Sequence, residues 1–344
     1  MRIALLSHCF YPHVGGIETM TETLAEGFRR AGHEVVVVTQ TQDTGSRTFE
    51  YEVVRRPNAQ RLLGIARWCD VYFQNNISLG TLWPMMCIRR SLVITHATWI
   101  GRSDGALSWR DHLKRFVLRY AVCISNSRAV AASMPVPSTV IGNPYQDRLF
   151  VEIPGIDRDR DLVFLGRLVS DKGPHLLLDA LDQLRTWGHE PTVTFIGAGE
   201  ELDSLRARVD ALGLSAAVEF VGPKQGAELV RLLNRHRIMV VPSIWKEPFG
   251  IVALEGAACG CVVAGSSGGG LADAIGPCGP TFPNGDAAAL AETLRGLLES
   301  PDKMRAYRAA APAHLQQHTA DFVTARYLEV IARAVGPAPP TMEY

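Results

Sequence analysis

The sequence has 344 residues, of which 47% are hydrophobic and 20% charged, and its formal net charge is zero. At roughly 100–200 residues per domain this length predicts two domains, and the composition is that of a globular chain rather than a disordered one. The neutral balance argues against nucleic acid as a partner. None of the seven cysteines has CxxC spacing, so we expect no zinc site and mostly buried, reduced thiols.

Strands and helices alternate through the first half of the chain. Residues 2–7 form a short apolar run that predicts a buried strand, and apolar residues at helical spacing over 17–31 predict a helix that ends before Gly32. The β-branched run 35–38 is typical of a strand covered on both faces. Strand, helix and strand in this order indicate a βαβ unit and a parallel sheet. Further strands are predicted at 70–74, 92–95, 122–125 and 139–142.

The same alternation starts again after the polar stretch 157–161. Its strands are predicted at 162–165, 192–196, 217–221, 238–241 and 262–264. Pro144, Pro154 and Gly155 interrupt any regular pattern between them, which places a linker there. We therefore expect a first domain over residues 1–150 and a second over 151–321. A last helical pattern at 322–336 is separate from the second sheet and is free to pack back on the first domain.

The predicted fold class is α/β, with two doubly wound domains in tandem. Parallel sheets of this kind bind ligands at the carboxyl ends of their strands. Two such domains that face each other would form a cleft, which is a usual place for a ligand site.

The segment after the predicted strand 238–241 carries two glutamates, Glu247 and Glu255. Pro248 separates Glu247 from a helical pattern that begins near Gly250, so Glu247 is predicted on a loop and Glu255 on the helix. Unsatisfied N–H groups at a helix start suit a phosphate, and a carboxylate beside them suits the hydroxyl groups of a sugar. The alternative is that both glutamates are ordinary solvated residues.

Two cations follow another strand of the second half. Arg167 and Lys172 come directly after residues 162–165, at the same predicted sheet edge as Glu247. Together they would neutralise a diphosphate, which arginine can bind through two hydrogen bonds. Taken alone, they could equally be surface residues in a turn.

The motif Glu-Pro-Phe-Gly-Ile-Val-Ala-Leu-Glu-Gly at 247–256 resembles the signature of glycosyltransferase family 4, whose members are retaining enzymes of the GT-B fold. The resemblance continues through 262–265, the glycine cluster 268–270 and the turn 283–286. It implies two Rossmann-like domains that face each other across a cleft. It also implies that Glu247 contacts the donor sugar, Glu255 the ribose, and Arg167 with Lys172 the diphosphate. The neighbouring donor-site residues would be Phe249, Gly250, Ile251 and Val252.

In the first domain the resemblance points to a glycine loop and a histidine. Gly15 and Gly16 lie between the first strand and the first helix, where the family has a loop that faces the donor. His96 ends the strand 92–95, where family members place a histidine near the hydroxyls of the sugar. The alternatives are a tight βα turn and a structural histidine.

The implied reaction transfers a sugar from a nucleoside diphosphate sugar, UDP-linked or GDP-linked, to a glycan or a lipid-linked acceptor, without a metal or cofactor. A nucleotide-sugar epimerase and a non-catalytic nucleotide-sugar binding protein are alternatives. A nicotinamide oxidoreductase is disfavoured because the glycine pattern at 195–199 lacks its last glycine, with Leu202 in that position.

Residues 109–120 interleave aromatic and basic side chains. They could form an amphipathic helix on an anionic membrane surface, close to a lipid-linked acceptor. The alternative is a helix packed on the core with a solvated basic face. Polar residues interrupt the apolar run 3–6 too early for a signal peptide, and no run approaches a membrane span. We therefore expect a cytoplasmic protein, in peripheral contact with a membrane if the amphipathic alternative holds.

Overall fold

The computed structural model describes residues 1–13, 15–42, 47–101 and 106–336. The chain divides into two units, one formed by Met1–Pro144 with Ala320–Tyr344 and the other by Tyr145–Thr319. The division after Pro144 lies within the linker that the prolines predict.

A seven-stranded parallel sheet forms the first unit. Its strands, in chain order, are β1 (Arg2–Ser7), β2 (Glu34–Thr39), β3 (Glu52–Arg55), β4 (Val71–Asn75), β5 (Ser91–His96), β6 (Val122–Ser125) and β7 (Ser138–Val140). In space their order is β3-β2-β1-β4-β5-β6-β7, so the chain changes direction across the sheet between β1 and β4. The carboxyl ends of strands at such a switch point form the usual ligand-binding edge.

Helices cover both faces of this sheet. They are α1 (Gly16–Arg30), α2 (Ala59–Trp68), α3 (Leu79–Leu82), α4 (Trp109–Val117) and α5 (Arg128–Ser133). Alternate residues of β1 enter opposite cores: Ile3 and Leu5 pack with α1, whereas Ala4 and Leu6 pack with α2. This two-sided burial explains why the strands of this chain are continuous apolar runs rather than alternating ones.

The second unit has a parallel sheet of six strands. They are β8 (Arg160–Leu165), β9 (Val193–Ile196), β10 (Val218–Gly222), β11 (His236–Val241), β12 (Val262–Ser266) and β13 (Thr281–Phe282), in the order β10-β9-β8-β11-β12-β13. Its helices are α6 (Pro174–Thr186), α7 (Leu202–Ala211), α8 (Gly226–Asn234), α9 (Ile251–Ala258), α10 (Leu271–Ile275), α11 (Ala287–Leu298) and α12 (Pro301–Gln316). The chain again changes direction at the sheet centre, between β8 and β11.

The last helix, α13 (Ala320–Val335), belongs to the first unit. Tyr327 is fully buried there, with its hydroxyl 2.9 Å from the Thr95 hydroxyl, and Thr324 lies against Gly27 of α1. A Cβ atom at Gly27 would come within 2.3 Å of the Thr324 hydroxyl oxygen, so the glycine lets α1 and α13 approach closely.

Prediction of two parallel, doubly wound sheets is confirmed, but two strands were missed. β3 is a four-residue edge strand with a charged residue at each end, and β13 has only two residues. Neither is long or apolar enough to produce a recognisable period. Five of the seven cysteines are buried, as expected of most of them, whereas Cys87 is exposed and Cys9 is intermediate.

Candidate functional site

Glu247 lies at the carboxyl end of β11, in the loop that leads to α9. Its side chain is almost buried, and its carboxylate oxygen Oε1 accepts two hydrogen bonds, from Lys172 Nζ at 2.5 Å and from the Ser243 hydroxyl at 2.8 Å. Because both donors bind the same oxygen, the second oxygen, Oε2, keeps its capacity to accept a bond from a ligand. The arrangement fixes a carboxylate in one orientation at the ligand-binding edge of the sheet.

Lys172 reaches Glu247 because two loops pass very close to each other. Lys172 ends the short 3₁₀ turn Ser170–Lys172 after β8, and Gly173 follows it with a φ of +67°. A Cβ atom at Gly173 would lie 2.1 Å from the Pro242 carbonyl oxygen. Glycine is therefore required there both by the left-handed backbone and by the space.

A second glycine contact holds the backbone of Glu247. The N–H of Gly270 donates to the Glu247 carbonyl at 2.6 Å, and Gly269 pairs with Glu247 in a short parallel bridge. Gly269 has a φ of +85°, and a Cβ atom there would lie 2.4 Å from the same carbonyl oxygen. The glycine cluster after β12 thus supports the loop that carries the glutamate.

Asn284 ties three loops together. Its Nδ2 donates to the carbonyl oxygens of Ser243, Ile244 and Trp245 at 3.0, 3.2 and 3.3 Å, and its Oδ1 accepts from the Gly268 N–H at 2.6 Å. The side chain therefore holds the segment that presents Ser243, and through Ser243 the carboxylate of Glu247.

Arg167 is not drawn into this cluster. Its side chain is 70% exposed, and its guanidinium lies 3.9 Å from the Asp171 carboxylate. Asp171 is placed by its backbone, since its carbonyl accepts from the N–H groups of Ile244 and Trp245 at 2.9 and 3.2 Å. The structure thus sets Arg167 beside the Lys172 turn but leaves its guanidinium facing solvent, available to an anion.

The start of α9 provides N–H groups beside Glu247. Gly250 is its N-cap, with a φ of +96°, and no side chain in the described part of the chain caps this helix. The N–H groups of the first turn, which include those of Ile251 and Val252, are the kind that bind an anion. The Phe249 side chain is buried in the core beside His318, so only its backbone can face a ligand.

Glu255 lies one turn into α9, half-buried. Loss of solvation raises the pKa of its carboxyl to about 7. Glu255 makes no hydrogen bond with Glu247 or Lys172, so the two predicted glutamates occupy separate positions on the loop and the helix.

The glycines at 197 and 199 have a packing role. A Cβ atom at Gly197 would lie 1.9 Å from the Gly166 carbonyl oxygen, and one at Gly199 would lie 2.1 Å from that of Leu168. The loop after β9 therefore presses against the loop after β8, which carries Arg167. This close approach explains the Gly-x-Gly pattern without a dinucleotide.

In the first unit Gly15 and Gly16 begin α1. Gly15 is the N-cap, in an extended conformation, and a Cβ atom there would lie 2.7 Å from a carboxylate oxygen of Glu18. The Glu18 side chain folds back over the start of α1, so the space above Gly15 is limited by a flexible side chain. The residue before Gly15 lies outside the described ranges.

His96 is the last residue of β5 and is 1% exposed. Its Nε2 is buried and has no hydrogen-bond partner within the described residues, and burial lowers the pKa of the imidazole to about 4. The ring is therefore neutral near pH 7. Asn126, which follows the neighbouring strand, donates from its Nδ2 to the Ala97 carbonyl at 3.1 Å.

The segment 109–120 exposes its apolar residues. α4 is followed by a 3₁₀ turn, Leu118–Tyr120, and the exposed fractions of Trp109, Leu113, Phe116 and Tyr120 are 71, 42, 51 and 72%. The alternative of a helix whose aromatic side is packed on the core is therefore wrong. The core is instead reached by Leu118, which is fully buried.

Residues 1–13, 15–42, 47–101 and 106–336 contain no group of three or more His, Cys, Asp or Glu side chains placed to hold a metal ion. In the same ranges, every helix is too short or too polar to cross a bilayer.

Sequence reasoning assigned no role to Ser243 or Asn284. Ser243 lies only four residues before Glu247, but nothing in the pattern shows that its hydroxyl turns towards that carboxylate. The signal for Asn284 was the turn Pro-Asn-Gly-Asp at 283–286, directly after β13. Its partners are Gly268, 16 residues earlier in the chain, and the segment 243–245, some forty residues earlier, so only the folded structure reveals them.

The chain is similar to known glycosyltransferases. Residues 147–314 match the family model described as "Glycosyl transferases group 1", which covers nearly all of the second unit. The chain is 34% identical to a Mycobacterium tuberculosis glycogen synthase over 247 residues, which are 66% of this chain and 58% of that protein. It thus spans less than two thirds of that relative. An uncharacterized glycosyltransferase of Methanocaldococcus jannaschii is 27% identical over 329 residues, covering 80% of this chain and 83% of that protein.

Among solved structures, Anabaena HepE in complex with UDP superposes with a TM-score of 0.80 at 21% identity, covering 96% of this chain and 99% of that one. Together with the two parallel sheets of seven and six strands, this likeness shows that the fold is GT-B, with two Rossmann-like domains.

Proposed function

We propose that this chain is a glycosyltransferase that moves a hexose from a nucleoside diphosphate sugar to an acceptor. The observation that carries the proposal is the fixed carboxylate of Glu247, bound by Lys172 and Ser243 beside the start of α9. The matching family model and the relatives named as glycosyltransferases support it. UDP is the favoured donor nucleotide, with GDP as the alternative, because a solved structure of the same fold, Anabaena HepE, is described in complex with UDP.

The proposed reaction breaks the bond between the anomeric carbon and the diphosphate. The electron pair of that bond leaves with the diphosphate, which gains negative charge, while the sugar ring becomes oxocarbenium-like. The hydroxyl oxygen of the acceptor forms the new bond to the anomeric carbon, and its proton passes to the departing diphosphate. Arg167, Lys172 and the N–H groups at the start of α9 would stabilise the departing charge. Because these positive groups can neutralise the diphosphate, the proposal includes no metal and no cofactor.

The acidic groups would hold the neutral parts of the donor. Oε2 of Glu247 would accept hydrogen bonds from hydroxyls of the sugar, and Glu255 would do the same for the ribose. In the first unit, His96, neutral near pH 7, would contact a hydroxyl of the substrate, and Gly15 with Gly16 would allow close approach of the backbone.

We further propose that the chain belongs to glycosyltransferase family 4 and that the transfer retains the anomeric configuration. These proposals rest on the two glutamates of 247–256 and on the Gly-Arg-Leu and Lys-Gly elements at 166–173. We propose the acceptor to be a glycan or a lipid-linked sugar bound by the first unit, residues 1–150 by sequence, in a cytoplasmic protein with peripheral membrane contact through 109–120.

A donor panel tests the proposal. A ligand that binds only the folded state increases the free energy of unfolding by about 2.7 kcal/mol at a hundredfold excess over Kd. The melting temperature rises as a result. We expect one UDP-sugar or GDP-sugar to raise the melting temperature and to be consumed in the presence of an acceptor extract. If no nucleoside diphosphate sugar stabilises the protein, the proposal is wrong. The E292Q variant, which changes an exposed glutamate of α11, should respond as the wild type does.

A further inference from the structure

We propose that α4 and the turn after it dock onto an anionic lipid bilayer, with Trp109, Leu113, Phe116 and Tyr120 inserted among the lipids. We call these four side chains the α4 face. The inference rests on the proposed function in one respect, since it supplies the surface from which a lipid-linked acceptor would be reached.

The spacing of Trp109, Leu113 and Phe116 places them on one side of α4, since they follow one another by four and three residues, the repeat of a single helical stripe. Tyr120 lies in the 3₁₀ turn directly after the helix, with its ring centre 5.9 Å from that of Phe116. All four side chains are between 42 and 72% exposed. Large apolar side chains that are contiguous and solvated are uncommon on proteins without a partner and mark an interaction surface.

The residues around the stripe are basic. Residues 109–120 contain Arg110, Lys114, Arg115 and Arg119 but only one acidic residue, Asp111. The Asp111 side chain is used internally: it completes the capping box with Ser108, and its Oδ1 lies 3.3 Å from Lys114 Nζ. The outward charge of the segment is therefore positive.

Two of these cations lie directly beside the aromatic rings. The Arg110 guanidinium is 5.4 Å from the ring centre of Trp109, and that of Arg119 is 5.7 Å from the ring centre of Phe116. When the rings enter the interfacial region, the guanidinium groups are at the depth of the lipid phosphates. Amphipathic helices that lie in the membrane interface combine these two properties.

The helix presents this face rigidly. The capping box fixes its start, Leu118 anchors its end in the core, and Arg115 Nη1 donates to the Ser133 carbonyl at 3.2 Å. Beyond Tyr120 a shallow groove of about 630 Å³ continues the apolar surface. It is lined mainly by apolar residues, among them Leu118, Ala121, Val122 and Val136.

Charge favours a bilayer over a second copy of the chain as the occupant. In a two-fold symmetric dimer the same patch meets itself, so the four cations of one copy would face those of the other. Anionic lipids instead attract these cations, and each Lys or Arg near the surface increases the affinity for the membrane about fivefold.

Vesicle binding tests the proposal on the full chain. We expect co-sedimentation with vesicles of phosphatidylcholine and phosphatidylglycerol in equal parts, and at least tenfold weaker binding to phosphatidylcholine alone. R110Q/R119Q should bind the mixed vesicles about 25-fold more weakly, following the effect of two cations. W109S/F116S should lose at least tenfold, whereas F322S and R67E, which change an exposed apolar and an exposed basic residue elsewhere on the same unit, should bind like the wild type.

Tryptophan emission gives a readout specific to insertion. Wild-type emission should shift to shorter wavelength with mixed vesicles, and W109F should lose this shift while it still sediments with them. Equal binding by wild type and W109S/F116S, or concentration-dependent self-association abolished by W109S/F116S in place of vesicle binding, overturns the proposal. Donor stabilisation should be unchanged in W109S/F116S, so a failure of vesicle binding is distinct from a failure of the transferase proposal.

Discussion

Lys172 and Glu247 are 75 positions apart in the sequence, yet Nζ of the lysine and Oε1 of the glutamate lie 2.5 Å apart. The contact joins the turn after β8 to the loop after β11, the two central strands of the second sheet. It therefore fixes the relative position of the proposed phosphate-binding and sugar-binding elements.

Substitutions of Lys172 and of Glu247 should have non-additive effects on the free energy of unfolding. Both side chains are largely buried, 26 and 11% exposed, so removing one partner leaves the other poorly solvated. We expect K172M to lower the free energy of unfolding by about 1–3 kcal/mol, and K172M/E247Q to lose less than the sum of the two single variants. Urea unfolding of the four proteins measures the coupling. Strictly additive losses would show that the pair does not interact in solution.

Arg167 should separate activity from folding. The Arg167 side chain is 70% exposed with a single distant acidic neighbour, so R167A should keep the melting temperature of the wild type. Loss of its charge from the diphosphate should reduce turnover at least a hundredfold, about 2.7 kcal/mol in the transition state. E247Q should likewise lose most transfer activity. Near-normal turnover by either variant contradicts the site, and R206A on α7 is the matched control.

Asn284 should act as a positioning residue. N284A removes four hydrogen bonds to the loops at 243–245 and 268, so we expect a stability loss of about 1–3 kcal/mol and weaker binding of the donor sugar. Free UDP, which lacks the sugar, should still bind nearly as well as to the wild type. N58A, which removes the N-cap of α2 in the other unit, should cost stability without this difference. Equal losses for UDP and for UDP-sugar would point to a general structural role.

Glu255 should make stability fall as the pH rises. Its pKa of about 7 in the folded chain is above the ordinary value of 4.5, so between these values the folded state binds more protons than the unfolded one. Stability from this group is full below about pH 4.5 and is lost as the pH rises towards about 7. E255Q should therefore gain about 1–3 kcal/mol over the wild type at pH 8 and nothing near pH 4. A constant difference across that range in urea unfolding would contradict a raised pKa.

His96 should make the stability of the folded chain fall as the pH is lowered. Burial lowers its pKa to about 4 from 6.5, so between these values the unfolded chain binds the proton and the folded chain does not. Stability from this group is therefore present above about pH 6.5 and is lost as the pH falls towards about 4. H96Q should lose less stability than the wild type on acidification across this range. If both proteins lose the same amount, the imidazole titrates normally and is not buried as described.

The apolar periods and the turn residues of this chain determined most of its architecture. Continuous β-branched runs predicted parallel strands covered on both faces, and Gly32 and Gly260 mark helix ends where the backbone is left-handed. The strands β3 and β13 show no apolar period, because they are only four and two residues long and, at the edges of their sheets, pair on one side only.

The sequence alone was also enough to identify the candidate site residues and to place them after particular strands. These residues are Arg167, Lys172, Glu247 and Glu255. Only the tertiary structure decided which of them meet. It joined Lys172 and Ser243 to one oxygen of Glu247, left Arg167 in solvent, buried Phe249 and turned the α4 face outward. Local spacing controls backbone conformation over a few residues, whereas the contact of Lys172 with Glu247 joins loops 75 positions apart, whose approach is fixed by packing of the whole sheet.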